Sequence, residues 1–580
     1  MLSNTRNRIL VLAGLICAFG IVAGTLLLLH PWRPSQAASK SSSSSASDER
    51  AEGCRLVVLV VFDQMRADYL DRWQKQMGDD GFRRLESEGT WFTNCHYPYA
   101  CTETGPGHAT LVTGRMPNSH GIVGNMWYEP PTKHDIYCVA GSSKYESVPH
   151  IAASDSVATP ENLIGVTVAD SLRSHKGKVV SLAGKDRSAV LMGGKHPHAC
   201  YWFDSTSGQF ITSTYYRRTP HPWVADFNAA RPADRWFGKE WTRLRADLNY
   251  RAFTGPDVAG EDLGAGWRTF PHTLTGKQDE LHTDASNKSY YEDFRASPYA
   301  NELLLDLAKR AIEAEDLGAG ASPDLLCVSF SATDIIGHTW GPDSQEVFDA
   351  QLRSDRIVAG LLGYLDDHIG RDHYTLVLTS DHGVCPLPEV TRARDKEFAC
   401  RVSPKVLEQQ ANDFLQDAYA PGDHDNFVYR MENWFYLNRP SLNAHHLKLG
   451  DAEKKLADWL KDQPGILRAY TRDQLEAGVD QDDAIGQSVQ RSYYSTRNGD
   501  VVAIVKPFCI FWSGKTGTTH GSPHDYDNHV PLLVFGRNVP ATICTDAVTP
   551  LSVASILAAG LNIDPPQGAE ADLPACLHAK

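Results

Sequence analysis

The 580-residue sequence has no CxxC pair and no thiol-rich metal spacing despite its twelve cysteines, which argues against a cysteine-built zinc or redox module. It shows no internal repeat. Basic residues are in short supply, 56 Lys plus Arg against 71 Asp plus Glu, for a formal net charge of -15. A surface of that sign repels polyanions, so nucleic acid is not an expected partner. An anionic substrate would have to be drawn in by a local device such as bound metal or a placed Lys or Arg. The composition is not that of a disordered chain, a collagen or a disulfide miniprotein, because 42% hydrophobic and 22% charged residues furnish a large buried core. One body with insertions suits this length better than a string of domains of roughly 150 residues each.

One long apolar run is present. Ile9 to Leu29 carries no charge over 21 residues, with Arg6 and Arg8 before it and His30-Pro31-Trp32-Arg33-Pro34 after it. It is a membrane-targeting segment, long enough to span a bilayer and followed at Ser35-Gln36-Ala37 by a modest small-residue cleavage site. Residues 1–37 are read as an uncleaved anchor or a signal peptide. The two arginines ahead of the run place the body outside the cytoplasm, in a periplasmic or other extracytoplasmic location. If uncleaved, the segment is also the chain's contact with the membrane. Residues 38–52 are a flexible Ser-rich linker, and 53–580 form the catalytic domain. Cys17 lies in the apolar segment, which leaves eleven cysteines in the body, an odd number of disulfide partners or buried apolar groups.

Short continuous apolar runs, each leading into polar residues, read as buried parallel strands. Leu56 to Phe62 ends at Asp63, Val179 to Ala183 at Gly184-Lys185-Asp186-Arg187, Leu325 to Phe330 leads to Asp334, and Tyr374 to Thr379 ends at Asp381-His382. Pro531 to Phe535 is a fifth. Helical periodicity between them, clearest over Ser344 to Ile369, predicts an α/β fold with a mainly parallel central sheet and helices on both faces. The stretches at about 200–297 and 388–506 break this pattern and are expected to be cap insertions that roof the site.

Ligand sites in such sheets gather at the carboxyl ends of the strands. Asp334 and His338 are four apart, one helical turn, so both side chains share a face as a metal clip requires; a capping Asp beside an incidental His is the other reading. Asp63, Asp381-His382-Gly383 and His520-Gly521 join them at the same edge. Three Asp and three His suit Zn²⁺, and that many ligands accommodate two ions, which together clamp the attacking and leaving oxygens of an in-line phosphoryl displacement. Thr104 in Thr104-Gly-Pro-Gly-His108 precedes Ala109 to Val112, where a helix is expected to begin. Its hydroxyl is either an N-cap or, if activated by metal, a nucleophile at a helix N-terminus.

The ordered set Asp63, Thr104-Gly-Pro-Gly-His108, His120-Gly-Ile-Val-Gly-Asn125, Lys185-Asp-Arg187, Asp334-Ile-Ile-Gly-His338, Ser380-Asp-His-Gly383 and Thr519-His-Gly521 resembles the alkaline phosphatase superfamily. The resemblance runs from about residue 55 to about 537. It is strongest to the monomeric, threonine-nucleophile alkaline phosphatases of the type I phosphodiesterase and nucleotide pyrophosphatase-like branch. It implies a monomer hydrolysing small phosphate monoesters through a phosphothreonine at Thr104. One zinc would be held by Asp334, His338 and His520, the other by Asp63, Asp381, His382 and the Thr104 oxygen. Asn125, Lys185 and Arg187 would meet the phosphate oxygens. His520 has rivals in His524 and His529. A phosphodiesterase or nucleotide pyrophosphatase with the same metals is the alternative. Sulfatase chemistry is disfavoured because Cys101-Thr102-Glu103-Thr104 lacks the Pro and Arg of the C-x-P-x-R signature.

Overall fold

The computed structural model describes residues 53–578 except 152–156, 258–268, 277–287, 396 and 423–424. The Ile9 to Leu29 run and the whole Ser-rich linker lie outside the described residues, among which no helix is long and apolar enough to cross a membrane.

A ten-stranded sheet organises the body. Its strands, numbered along the chain, are β1 Leu56–Phe62, β2 Thr90–Phe92, β3 Ser147–Val148, β4 Val179–Ala183, β5 Ala199–Asp204, β6 Gln209–Ser213, β7 Asp324–Phe330, β8 Tyr374–Thr379, β9 Leu532–Gly536 and β10 Thr542–Cys544. They lie in the order β10-β2-β9-β8-β1-β7-β4-β5-β6-β3, and the centre from β8 to β5 is parallel throughout. Every residue of β1 is buried, since helices cover both faces. Leu56, Val58, Val60 and Phe62 pack with the helices Tyr299–Ala314 and Gln345–His368. Val57, Leu59 and Val61 pack instead with Thr104–Thr113 and Ser552–Leu561.

Two expectations need correction. The fifth apolar run forms β9, which pairs antiparallel with β8 rather than parallel. The chain enters β9 at the edge where the parallel strands end, which is how a loop preceding that strand, with His520 in it, reaches the same edge as loops following the others. The stretch from about 200 to 297 begins inside the sheet as β5 and β6, and its aromatic residues then pack into one face of the sheet rather than over its edge. Trp241 and Tyr250 can be buried there because Asp349 accepts from Trp241 Nε1 at 2.7 Å and from the Tyr250 hydroxyl at 2.6 Å.

Within 388–506, the strands Val428–Met431, Trp434–Leu437, Val501–Val505 and Ile466–Thr471 form a separate sheet, backed by the helices Pro404–Tyr419 and Leu449–Lys461 around their own core. Cys544 and Cys576 form a disulfide; the other nine cysteines of the body are thiols.

Candidate metal centre and nucleophile

Four strand ends supply the site. Asp63 follows β1, Lys185 and Arg187 follow β4, and Asp381 and His382 follow β8. Asp334 and His338 lie on the helix Ala332–Trp340, which begins just past β7. The predicted one-turn clip is present, with His338 Nε2 3.2 Å from Asp334 Oδ1. The helix carrying Thr104 starts at Thr104 itself, five residues before the expected start at Ala109. Gly-Pro-Gly is compatible with that first turn, where a proline's missing N–H costs no helical bond. Gly107 answers a packing demand, because a Cβ on it would lie 2.3 Å from the Asp381 carbonyl oxygen. Gly383 follows the Asp381-His382 pair. What demands glycine there is close approach, a Cβ lying 2.2 Å from the Tyr526 carbonyl oxygen.

Two ligand groups result. The donor atoms of Asp63, Asp381 and His382 lie within 4.8 Å of one another, as do those of Asp334, His338 and His520. The His382 and His520 rings stack at 3.6 Å between centroids, joining the groups. Each of the three histidines donates Nδ1–H to a backbone carbonyl: His382 to Gly383 at 2.9 Å, and His338 and His520 to Thr518 and Thr102, both at 2.7 Å. That tautomer leaves every Nε2 lone pair for a cation. His524 and His529 do the reverse, each spending Nε2 on a carbonyl, Val505 and Thr93 respectively. The structure therefore brings His520 to the cluster and neither rival.

The donor set fits divalent metal. Both Asp63 carboxylate oxygens and Asp381 Oδ2 are buried without an aligned hydrogen bond; the Lys185 ammonium offsets part of that cost at Asp63 Oδ2 and is shared with Asp334, which leaves carboxylate charge that a divalent cation would balance. Burial, with Asp381 alongside, pushes the Asp63 carboxyl well above its ordinary range. Burial acts the same way on Asp334, but Lys185, His338 and His520 outweigh it and hold Asp334 well below. Burial and the two neighbouring imidazoles depress His520, keeping it a neutral ligand. The Lys185 ammonium spans the groups, 2.8 Å from Asp63 Oδ2 and 2.6 Å from Asp334 Oδ2.

Thr104 Oγ1 sits where these groups converge: Lys185 Nζ, Arg187 Nη2 and His382 Nε2 each lie 3.4 Å from it. Arg187 also donates to the Tyr137 hydroxyl at 3.3 Å, which donates to Asp186 at 2.5 Å. Asn125 lies at the helix start, its Oδ1 accepting Gly105 N–H at 2.8 Å.

Several supporting residues were not singled out from sequence. Gln64, at φ +70°, donates its backbone N–H to Asp381 Oδ1 and its Nε2 to Asp334 Oδ1, tying the two ligand groups together. A Cβ at Gly337 would lie 1.8 Å from Gln64 Oε1, so a side chain there would displace the Gln64 amide from Asp334. Glu103 accepts Asn125 N–H at 2.7 Å, and burial with Glu432 nearby pushes its carboxyl up to about 8. His108, quoted only as part of the Thr104 motif, spends both ring nitrogens, on the Thr104 carbonyl and on Ser329 Oγ, both at 2.9 Å. The one available signal was position, as Gln64 and Glu103 flank Asp63 and Thr104.

Comparison with known proteins agrees with this geometry. The profile of the family described as type I phosphodiesterase / nucleotide pyrophosphatase matches residues 57–527. The chain is 32% identical to alkaline phosphatase PhoV of Synechococcus elongatus over 521 residues, covering 89% of this chain and 91% of that protein. It is also 32% identical to alkaline phosphatase PafA of Elizabethkingia meningoseptica over 524 residues, covering 89% and 93%. The crystal structure of wild-type alkaline phosphatase PafA superposes with a TM-score of 0.82 at 31% identity, covering 91% of this chain and 99% of that one.

Proposed function

The chain belongs to the type I phosphodiesterase / nucleotide pyrophosphatase family, and from that premise we propose that it is an alkaline phosphatase-type hydrolase acting through Thr104. It converts small phosphate monoesters to alcohol and inorganic phosphate. The full-length alkaline phosphatase relatives support the reaction. The observation that carries the mechanism is the convergence of Lys185, Arg187 and His382 on Thr104 Oγ1 between two carboxylate-imidazole groups.

One zinc ion would be held by Asp334, His338 and His520, and a second by Asp63, Asp381, His382 and the Thr104 oxygen. Bound there, the ions supply Lewis acidity that lowers the hydroxyl pKa and offsets charge on the attacking and leaving oxygens. The Thr104 hydroxyl loses its proton to solvent, its oxygen forms a P–O bond to phosphorus as the ester P–O bond breaks, and the departing alkoxide takes a proton from solvent to leave as the alcohol. Water cleaves the phosphothreonine in the second half. The helix N-terminus at Thr104 favours the anionic phosphoryl group. Arg187, oriented by Tyr137, presents its fork to two phosphoryl oxygens, and Lys185 a point charge. Asn125 spends its carbonyl oxygen on Gly105, which leaves the NH₂ end for a third oxygen.

Three charge-seeking donors suit a monoester dianion better than a diester, one of whose oxygens carries a substituent. The body works as a monomer outside the cytoplasm, anchored through residues 9–29 or released by cleavage. One preparation tests the reading: zinc content of the purified exported body, with product release from matched aryl mono- and diesters. About two zinc per chain and a monoester preference are expected. Active protein without stoichiometric zinc, or a diester preference, overturns it in favour of other metals or of a phosphodiesterase.

A further inference from the structure

Cys400 and Cys509 face each other in register across a two-stranded parallel ribbon, Cys400–Val402 against Cys509–Phe511. Gly465, at φ +86°, makes room for Cys400 Sγ, from which a Cβ there would lie 2.6 Å, and Cys509 Sγ lies within 3.8 Å of the same point. Adjacent strands lie about 5 Å apart, inside the Cα separation of about 4.4 to 6.8 Å that a disulfide spans. The catalytic mechanism makes no use of either residue.

We propose that Cys400 and Cys509 close a second disulfide, a staple across the ribbon that holds the loop carrying His520. The proposal rests on the reading that the body works outside the cytoplasm, where thiols meet disulfide oxidants. Several contacts lead from the ribbon to the ligands. Arg401, next to Cys400, donates to the Gly517 carbonyl at 2.7 Å, and Trp512, just past the second strand, donates its N–H to Val402 at 3.0 Å and its Nε1 to Thr516 at 2.7 Å. Thr518 exchanges hydrogen bonds with His338, its N–H reaching the His338 carbonyl at 2.8 Å. His520 is two residues further on. A staple at the base of this loop limits how far two of the six Asp and His ligands can move.

The chemistry balances with a small-molecule or protein disulfide as oxidant. Cys400 is partly exposed and Cys509 is buried, so Cys400 reacts first. Its thiolate attacks one oxidant sulfur, expels the other as a thiol and leaves a mixed disulfide. Cys509 then loses its proton to solvent and its sulfur attacks Cys400 Sγ, releasing the second oxidant thiol. The cysteine pair gives up two electrons, and one disulfide becomes two thiols. The neighbouring Cys509 thiol draws the Cys400 thiol below its ordinary range against the effect of burial, and Arg392 and Lys506 add to the pull.

The test is non-reducing peptide mapping of the full-length protein, alkylated under denaturing conditions before and after incubation with oxidised glutathione. Cys544–Cys576 is the internal control. The expected result is one linked peptide containing Cys400 and Cys509. Both cysteines recovered alkylated in a sample where Cys544–Cys576 is linked overturns the staple. If both pairs are open as isolated and both close with glutathione, the staple stands and the extracytoplasmic reading falls. A Cys400→Ala/Cys509→Ala variant, apolar at both positions, should keep near-parental turnover in excess zinc yet release zinc to a chelator roughly tenfold faster. Release as slow as from the oxidised parent overturns the link to the His520 loop.

Discussion

Asp63, Asp381 and His382 grow directly out of two central strands and are fully buried, whereas Asp334, His338 and His520 join a helix to a loop returning from the second sheet, with 27% of the His338 side chain exposed. The first group leaves three carboxylate oxygens without aligned hydrogen bonds, with the Lys185 ammonium 2.8 Å from Asp63 Oδ2 and His108 Nδ1 3.2 Å from Asp381 Oδ2. In the second, Asp334 accepts from Gln64 at 2.9 Å and from Lys185 at 2.6 Å, so it is satisfied by protein alone. The contrast teaches that one half of the centre is preset by the sheet and carries carboxylate charge that the Lys185 ammonium, shared with Asp334, does not fully balance. The other half is at ease without a metal ion and depends on distant chain to hold its shape.

The sharpest way to break that contrast is by substitution. Asp381→Asn should cost on the order of 10³ or more in kcat/KM with little rescue by added zinc, since no loop movement can replace a ligand fixed to β8. Lys185→Ala with Arg187→Ala should cost about 10² to 10⁴ on an aryl monoester, from roughly 1.5 to 3 kcal/mol per charge-assisted hydrogen bond, and far less on the diester. Equal losses on both substrates would mean that Lys185 serves the ligand groups it bridges rather than phosphate. His338→Ala should cost about 10² and be partly restored by excess zinc, as mass action allows at a weakened site. A loss as deep and as irreversible as that of Asp381→Asn would erase the distinction. Chelation should lower the parent's melting temperature by a few degrees, and Asp63→Asn, which removes a buried carboxylate lacking aligned hydrogen bonds, should shrink that drop in calorimetry. His524→Ala should change activity less than about twofold, because its Nε2 is spent on Val505.

Legibility in the sequence follows the same division. Asp63, Asp381 and His382 could be read because each ends an apolar run, and β1, β4, β7 and β8 were visible as such runs. The Asp334-His338 clip could be read because its geometry is local to one helical turn. Gln64 was out of reach, as its partners lie 270 and 317 residues away and nothing local marks them. The direction of β9 was equally hidden, since an apolar run buried on both faces looks the same in either orientation. The aromatic stretch after residue 200 lacked strand periodicity over most of its length, which masked β5 and β6 at its start. His520 needed a motif to choose it; in the structure its place beside Asp334 and His338 and its ring hydrogen bonds separate it from His524 and His529.

The account turns on the Thr104 hydroxyl, where both ligand groups and both cations meet. The direct measurement is hydrolysis of an aryl phosphate by zinc-loaded Thr104→Ala and Thr104→Ser beside the parent. Loss of about 10³ or more in Thr104→Ala, with substantial turnover kept by Thr104→Ser and acid-stable phosphate trapped on residue 104, is the predicted result. An alanine variant within tenfold of the parent, or phosphate trapped on another residue, would contradict it.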